Sequence, residues 1–570
     1  MTHTPLCLHC YTWIIMDYTL PRLRAELAQA AATILGVDQV EVIDAKSGAD
    51  LAIPVFALAA ERAQASPELA SNLAGRLKHD LIERAESSGG YVNLWLKPAK
   101  LAEAVISESN RADFGRNQDR AGQTVLVEHT DPNPFKELHI GHLYSNTVGE
   151  AVCRLFEASG AKVHRLSYHG DVGLHIAKAV YQMQKLQAER NKPLDTMPYE
   201  ERAAFLASSY AGGAQSYDDD DQAKQAVAEI NKKIYDHSDP SINELYDWGR
   251  QVSFAYFDEV YKRYQSPPFE KQYFESEAAP AGLELVHVYQ DQFEQSDGAV
   301  VFRGEQDGQH TRVFITGEGL PTYESKELGL ATLKDQDFPQ ASLSVVITAN
   351  EINAYFRVVL KVLERIKPQL AAKTRHLSHG VVKLPSGKMS SRSGDVIKAT
   401  DLLDEVEAAV AQLAPDSPAV KDNALAAIKY AFLRPNIGGD IVYDVNESIK
   451  LEGQTGPYIQ YAAVRISSIL NKASSDADAG DYDWQAEKPL LLLVARYPEV
   501  LQAAAQELAP GQLAHFAYEL AKQFNRYYET TPVKDAPDAV RSARLATLHA
   551  VHATLNQALG VLNISVPSKM

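Results

Sequence analysis

Residues 124–142 read TVLVEHTDPNPFKELHIGH, and this stretch decides the predicted fold of the central part of the chain. Thr124–Glu128 is a short β-branched run of the kind that is buried in parallel sheets, and a proline-rich turn follows it. A helix is expected to begin at about His142. A second β pattern at Val163–Tyr168 completes a βαβ order, which predicts a right-handed parallel crossover.

The same α/β domain is expected to span about residues 118–400. Sheet-like patterns return at residues 299–302, 312–315 and 344–347. Residues 180–290 are instead polar and helical in pattern. We therefore predict a Rossmann-like parallel-sheet domain that carries this helical segment as an insertion.

Two further units flank the sheet domain. Residues 17–112 combine helical patterns with a strand-like alternation at Tyr91–Leu96, which predicts a small N-terminal α+β domain. Residues 401–570 have helical apolar spacing almost throughout, which predicts a C-terminal all-α helix bundle. Residues 1–16 are interpreted as a leader of doubtful relevance to this multidomain α/β fold.

The composition is that of a folded protein, because 45% of the 570 residues are hydrophobic and 23% are charged. A formal net charge of −18 argues against a protein that coats DNA or RNA, although one local basic face for RNA is compatible with it. Three cysteines are too few for a disulfide framework, which favours the reducing cytoplasm. No stretch approaches the ~20 apolar residues of a membrane span, so no membrane partner is expected.

His139 and His142 lie three residues apart where a loop enters a helix, so both rings are expected beside the unpaired N–H groups of its first turn. Such a place suits a phosphate or the extra charge of a five-coordinate phosphorus. Gly141 leaves room for a flat ring against the backbone, and Lys136 adds a cation. The four letters alone would fit a coincidence or half of a zinc site equally well; their position after a buried strand favours phosphate.

A second basic segment follows about 250 residues later, where residues 384–395 read LPSGKMSSRSGD. Lys388 and Arg392 stand among hydroxyl side chains in a glycine-flanked loop. Such a loop can close over a polyphosphate, with lysine as a point charge and hydroxyls completing the cradle. Taken alone, a solvated turn or a phosphorylation site would have the same composition.

Together the two motifs resemble the HIGH and KMSKS signatures of class I aminoacyl-tRNA synthetases. From about residue 17 onward the chain resembles the arginyl-tRNA synthetases. The blocks that carry this resemblance are residues 54–59, 127–142, 169–173, 296–299, 452–461 and 559–570.

The resemblance implies a function and a set of partners. ATP with Mg²⁺ would be the cosubstrate, arginine would be activated to its adenylate only when tRNA is present, and the arginyl group would pass to the terminal ribose of tRNA(Arg). The N-terminal domain would contact tRNA, the bundle would bind the anticodon, and the protein would be a monomer without a bound metal. The residues that would act in catalysis are His139, His142, Lys388 and Lys136. Those that would bind ATP are Gly141, Met389, Ser390, Ser391 and Arg392.

A guanidinium group presents five donors and no acceptor, so its pocket should supply carboxylates and hydroxyls. The resemblance places arginine contacts on Glu128, Asn133, Tyr323 and Glu327, of which the last two, at i and i+4, would share a helix face. Asp171 follows a strand's carboxyl end and is predicted to line the site.

The chain departs from the family pattern at several positions. Glu327 stands where Asp is usual, Ser391 where a second Lys is usual, and Glu351 where Gln is usual, although its added negative charge would suit an arginine contact. Residues 172–175 read VGLH in place of Trp-Gly-Thr-Gln. For His175, and likewise for His169, a structural role is as compatible with the sequence as a ligand contact.

Three hypotheses follow. The first is arginine–tRNA ligation. The second is a class I synthetase for another amino acid, which the acidic pocket residues oppose. The third is an inactive synthetase paralogue that acts as an RNA-binding or scaffolding protein, which the intact His139, His142 and Lys388 oppose. In the bundle, Phe516, Phe524, Tyr527 and Tyr528 offer faces for stacking on anticodon bases, but we expect core packing for most of them.

Overall fold

The computed structural model describes residues 17–46, 48–190, 192–385, 397–474 and 479–570. The N-terminal domain is a four-stranded antiparallel sheet of order β1-β2-β4-β3 covered by helices. Its elements are α1 (Thr19–Leu35), β1 (Ile43–Asp44), β2 (Leu51–Pro54), α2 (Phe56–Glu61), α3 (Ser66–Arg76), β3 (Ile82–Ser88), β4 (Tyr91–Leu96) and α4 (Pro98–Ser109). Strand β4 alternates buried and half-buried side chains, as its sequence pattern predicts for a sheet with one face on the core.

The central domain contains the parallel sheet and its insertion. Its first half comprises β5 (Thr124–Glu128), α5 (Ile140–Ala158), β6 (Lys162–His169), α6 (Leu174–Arg190), α7 (Tyr199–Asp219), α8 (Asp221–Asp236), α9 (Pro240–Arg263), β7 (Lys271–Phe274) and α10 (Glu275–Val288). Its second half comprises β8 (Glu294–Ser296), β9 (Ala299–Phe302), β10 (Arg312–Ile315), α11 (Tyr323–Asp337), β11 (Ala341–Ala349), α12 (Asn353–Ile366), α13 (Pro368–Lys373), β12 (Thr374–His379) and β13 (Val382–Lys383).

The five strands of the main sheet are all parallel, in the order β12-β11-β5-β6-β7. Strand β5 lies at the centre and every one of its residues is buried, which explains its continuous apolar run. The connections leave β5 and β11 in opposite directions. Ligands of open α/β sheets bind at such a switch point, outside the carboxyl ends of the strands.

The helical insertion differs in extent from the segment that the sequence pattern suggests. Helices α6 to α9 pack around their own apolar cluster, which includes Val180, Val227 and Trp248. The segment 180–290 also contains β7, however, which pairs with β6 in the main sheet. Strand β7 has only four residues, which is too short for its β pattern to be recognised between helices, so sequence periodicity does not predict it.

The C-terminal domain is a helix bundle. Its elements are α14 (Ala399–Leu413), α15 (Val420–Leu433), β14 (Ile441–Val442), α16 (Val445–Ser448), α17 (Gly456–Lys472), α18 (Lys488–Glu507), α19 (Pro510–Thr530) and α20 (Asp538–Val561). The short strand β14 pairs in parallel with β13 and so ties the bundle to the central domain. The predicted fold class is confirmed.

The first and last domains pack against each other through α1, α4, α18 and α20. A buried ion pair between Asp50 and Lys488, 2.6 Å from Oδ2 to Nζ, joins them. Of the helices in the described ranges, none has the length and apolarity that would let it cross a membrane.

Candidate active site

The loop between β5 and α5, residues 129–139, has an unusual backbone. Thr130, Asp131 and Phe135 have φ angles of 79°, 45° and 66°, which residues other than glycine seldom adopt. Hydrogen bonds hold this conformation: the Thr130 N–H donates to Ser145 Oγ at 3.1 Å, and the Phe135 N–H donates to Ser253 Oγ at 2.8 Å. Strained backbone of this kind concentrates at functional sites, and we call residues 129–139 the signature loop.

His139 and His142 face each other at the N-terminus of α5. Their rings stack with centroids 3.7 Å apart, and the His139 N–H donates to His142 Nδ1 at 3.1 Å. Burial lowers the pKa of His139 to about 4, and burial, followed by the neighbouring His139, Lys136 and His169, lowers the pKa of His142 well below its ordinary value. Both imidazoles are therefore neutral near pH 7, and they are placed to donate or accept single hydrogen bonds at the positive end of the helix dipole.

His139 Nδ1 is buried against the first turn of α5 and has no hydrogen-bond partner that meets the usual distance and angle limits within the described ranges. A Cβ at Gly141 would lie 3.0 Å from the His139 ring and would crowd it. The charge of Lys136 contributes to the low pKa of both histidines, and its Nζ lies 4.5 Å from the Tyr210 ring centroid. The structure thus brings together four residues that the sequence singled out.

The predicted polyphosphate residues Lys388, Met389, Ser390, Ser391 and Arg392 lie outside the described residues. The chain that follows them returns to the signature loop. Ile140 N–H donates to Ile397 O at 3.0 Å, and Ala399 N–H donates to Leu138 O at 2.8 Å. Lys398 Nζ also pairs with Glu137 Oε2 at 2.7 Å. The C-terminal end of the segment with Lys388 is therefore anchored at the His139 turn.

On the helix α11 side of the sheet, acidic side chains gather around one lysine. Glu128 ends β5 and forms an ion pair with Lys334 Nζ, and both side chains are buried. Glu327, seven residues before Lys334 on α11, faces the same group, and Asp131 of the signature loop is electrostatically close to Glu128 and Glu327. We call Glu128, Asp131, Glu327 and Lys334 the carboxyl cluster.

The carboxyl cluster holds three carboxyl groups against one ammonium group, so full ionisation would leave two negative charges without a counterion. Burial, followed by the charge of Glu128, raises the pKa of Glu327 to about 8 and that of Asp131 well above its ordinary value. The Tyr168 hydroxyl nearby is buried and lacks a hydrogen-bond partner among the residues described. A cation with several N–H donors would satisfy all of these groups.

Asn133 and Asp171 lie on the loops that follow the carboxyl ends of β5 and β6. Asn133 Oδ1 accepts from the Gly170 N–H at 3.0 Å, and a Cβ at Gly170 would lie 2.6 Å from that oxygen. Asp171 is fully buried and accepts from Tyr246 Oη at 2.9 Å and from the N–H and Oγ of Ser276 at 2.9 and 2.8 Å. Its oxygens thus join α9 to the start of α10, and its predicted contact with arginine stays a prediction.

Tyr323 and Glu351 lie at the open side of the site. Tyr323 begins α11 and is 56% exposed, with Tyr355 Oη donating to its carbonyl at 3.0 Å. Glu351 is exposed in the turn between β11 and α12. Both are near the carboxyl ends of the strands, where a ligand would approach.

The two histidines after β6 have backbone partners. His169 Nδ1 lies 2.7 Å from Pro132 O, and His175 Nε2 lies 2.9 Å from Gly170 O. Burial lowers the pKa of each to about 4. Both therefore brace the loops of the site as neutral groups.

Comparison with known proteins identifies the family. A model described as the catalytic domain of class I tRNA synthetases (R) matches residues 103–431, more than half of the chain. The chain belongs to this class I synthetase family. Models described as the arginyl-tRNA synthetase N-terminal domain and the DALR anticodon-binding domain match residues 21–96 and 459–570. The predicted resemblance to arginyl-tRNA synthetases is confirmed.

Individual relatives agree with this synthetase family. The arginine–tRNA ligase of Treponema pallidum is 29% identical, covering 91% of this chain and 93% of the relative. That of Lactobacillus delbrueckii is 29% identical, covering 96% and 99%. The Thermus thermophilus arginyl-tRNA synthetase structure matches with a TM-score of 0.79 at 25% identity, covering 97% of this chain and 100% of that one. The Plasmodium falciparum enzyme, at 16% identity and a TM-score of 0.76 over 96% and 98%, has the same fold.

The C-terminal domain of this synthetase carries a groove of about 1050 Å³ between the end of α17, the end of α19 and the chain terminus. Arg465 lies 4.9 Å from the Tyr461 ring centroid and 5.0 Å from that of Tyr528, and Lys534 and Lys569 also line the groove. Of the four aromatic residues that the sequence suggested for stacking, Phe516, Phe524 and Tyr527 are buried, whereas Tyr528 is 36% exposed.

Sequence reasoning missed Asp131, Tyr168 and Lys334 of this synthetase's site. Lys334 follows Glu327 by seven residues, two helical turns, so the helix period could have placed both on one face. Asp131 stands between β5 and the two histidines, but its position next to Pro132 is typical of an ordinary turn. For Tyr168 the sequence carries no signal beyond its place at the end of a strand.

Proposed function

We propose that this synthetase is an arginine–tRNA ligase, which activates arginine with ATP and transfers it to tRNA(Arg). The carboxyl cluster carries the proposal: buried Glu128 and half-buried Asp131 and Glu327 face one lysine, beside a Tyr168 hydroxyl that has no hydrogen-bond partner among the described residues. A guanidinium supplies both the missing positive charge and planar donors for carboxylate oxygens. A neutral or acidic amino acid would leave these groups uncompensated, at high cost in a buried site.

The phosphate side of the proposed reaction lies at the N-terminus of α5. His139 and His142 would donate hydrogen bonds to phosphate oxygens as neutral imidazoles, and the first-turn N–H groups and Lys136 would add positive potential. The arginine carboxylate would attack the α-phosphorus and pyrophosphate would leave. Lys388 and Arg392, with the hydroxyls of Ser390 and Ser391, would hold the outgoing phosphates.

Mg²⁺ is proposed to enter as the ATP complex. Within the described ranges, no group of three histidine, cysteine, aspartate or glutamate side chains is placed to hold a metal ion. Binding mainly through substrate phosphates is usual for Mg²⁺, which keeps several of its waters. The residues present fit that mode, because the start of α5 offers hydrogen-bond donors that would hold the phosphates of the ATP complex.

We propose that tRNA contacts all three domains, which comprise about residues 17–112, 118–400 and 401–570. The groove beside Tyr461, Arg465 and Tyr528 supports an anticodon site, since exposed aromatic faces and cations suit unstacked bases and phosphates. We further propose that the protein acts as a monomer in the cytoplasm, and that arginine activation requires tRNA.

The test is ATP–pyrophosphate exchange with the full chain, Mg²⁺ and tRNA(Arg). Exchange is expected with arginine and only when tRNA is present, whereas lysine, glutamine and citrulline should give rates near background. Arginine-dependent exchange without tRNA would contradict the tRNA requirement alone. Faster exchange with another amino acid, or no aminoacylation of tRNA(Arg), would overturn the proposed function.

A further inference from the structure

The carboxyl cluster contains a cation of its own, the ammonium group of Lys334. Its Nζ contacts Glu128 Oε2, and only about one twentieth of either side chain is exposed. Removing one partner of such a pair leaves an uncompensated buried charge. Lys334 is thus built to hold the Glu128 carboxylate in place, and an incoming guanidinium meets a cluster that is already partly neutralised.

Little water is available to solvate the negative charge that Lys334 leaves uncompensated. A cavity of about 20 Å³ adjoins Glu327 and Lys334, which is room for about one water, and apolar side chains such as Leu126, Val346 and Phe356 form much of its wall. Glu327 is the carboxyl group of the cluster that lines this cavity, and with so little water beside it its ionisation next to the Glu128 carboxylate is opposed. The cluster is therefore expected to keep a proton in the ligand-free protein.

Other titratable and charged groups also face Glu327, and none of them removes this excess of negative charge. Glu275 from α10 is neutralised by Lys326 at 2.6 Å, and the tyrosines are neutral near pH 7. Asp335 and Lys373, which line the same cavity, pair with each other. The groups on the surrounding elements are Glu128 and Asp131, Tyr168, Tyr261, Glu275, Lys326 and Lys334, Tyr355, Asp335 and Lys373.

We propose that Lys334 is a positioning residue for arginine, and that the guanidinium group, on entering, displaces one proton held by the carboxyl cluster. The inference rests on the proposed function and deepens it. The charge balance is closed: one guanidinium cation enters the cluster and one proton leaves for the solvent. Arginine binding should therefore tighten as pH rises, by up to about tenfold per pH unit while this proton is present.

Calorimetric titration of the full chain with arginine in the presence of tRNA(Arg) tests the inference. Titrations in phosphate and in Tris differ in heat by the protons exchanged, and we expect release of up to one proton per arginine at pH 7, falling towards zero by pH 9. The arginine KM for aminoacylation should fall over the same range. Tight binding without proton release would overturn the inference and leave the proposed function standing. Absence of binding and of charging would instead overturn the proposed function.

Three variants separate positioning from simple structural support. Lys334→Met removes the internal cation, so the proton of the cluster should persist to higher pH and the KM profile should move upward in pH, while Lys334→Arg should restore it. Asp131→Asn keeps an amide oxygen for the Tyr168 N–H and tolerates the left-handed backbone, but it should abolish most of the pH dependence. The control is Glu364→Gln on the exposed face of α12, which should leave the profile in place. Unchanged profiles in both Lys334→Met and Asp131→Asn would contradict the proposal, and melting curves would verify that each variant folds.

Discussion

The histidine pair at the start of α5 and the carboxyl cluster lie at the same edge of the sheet, and their electrostatic surroundings are opposite. At the N-terminus of α5, His139 and His142 are kept neutral, and the helix dipole and Lys136 make the surroundings positive. In the carboxyl cluster, negative groups outnumber the single lysine. The first group is suited to an anion that brings its own charge, and the second to a cation. Their adjacency suits the proposed reaction, which joins the carboxylate of a guanidinium-bearing amino acid to a phosphate.

The largest effect is expected from breaking the phosphate side. His142→Ala should lower the rate of arginine-dependent pyrophosphate exchange by about 100- to 1000-fold, or about 3–4 kcal/mol, because a placed donor to the transition state is lost. Arginine affinity, measured by calorimetry, should change little. A variant with a wild-type exchange rate would remove His142 from the mechanism.

Breaking the arginine side should give the converse result. Glu327→Gln is expected to raise the arginine KM about 10- to 100-fold, since a hydrogen-bonded charge is worth about 1.5–3 kcal/mol, and to leave the ATP KM nearly unchanged. Glu364→Gln, on the exposed face of α12, is the matched control. If the ATP KM rose and the arginine KM did not, the assignment of the two sides would be reversed.

The junction of the two sides can be disturbed by a single methyl group. Gly170→Ala would place a Cβ 2.6 Å from Asn133 Oδ1, and overpacking of this kind costs about 1–3 kcal/mol. Urea unfolding should show that loss, and both substrate KM values should rise together. Gly75→Ala in α3 meets no neighbouring atom and should be neutral or slightly stabilising. Equal stability of the two variants would show that the Asn133 side chain can move away from a Cβ at residue 170.

The smallest effect concerns pH and stability. The folded state holds the pKa of His139, His169 and His175 near 4, below the ordinary histidine value, so their contribution to stability is present above about pH 6.5 and is lost as pH falls towards 4. Glu327 behaves oppositely: its raised pKa of about 8 means that stability is lost as pH rises from about 4.3 to 8. Urea unfolding of wild type and Glu327→Gln should therefore differ in slope between about pH 5 and 8, with the wild type losing stability faster, and the two curves should run parallel above about pH 8. Parallel curves below that pH would contradict a protonated cluster.

The two sides also differ in how far the sequence could predict them. Every described group on the phosphate side comes from residues 136–142, so local spacing and the helix period place His139, Gly141 and His142 together. The carboxyl cluster is assembled from β5, the signature loop and α11, some 200 residues apart, and only the fold brings Lys334 to Glu128. The resemblance to known synthetases supplied Glu128 and Glu327, but it could not supply the pairing that fixes their charge.

The central claim is that the cluster selects arginine by its charge. Citrulline tests this most directly, because it has nearly the same shape as arginine but carries a neutral ureido group. In aminoacylation of tRNA(Arg), we expect kcat/KM for citrulline to be lower than for arginine by about 10⁴-fold or more, as in sites whose buried polar groups would be left unpaired. Citrulline charged within tenfold of arginine would contradict the account.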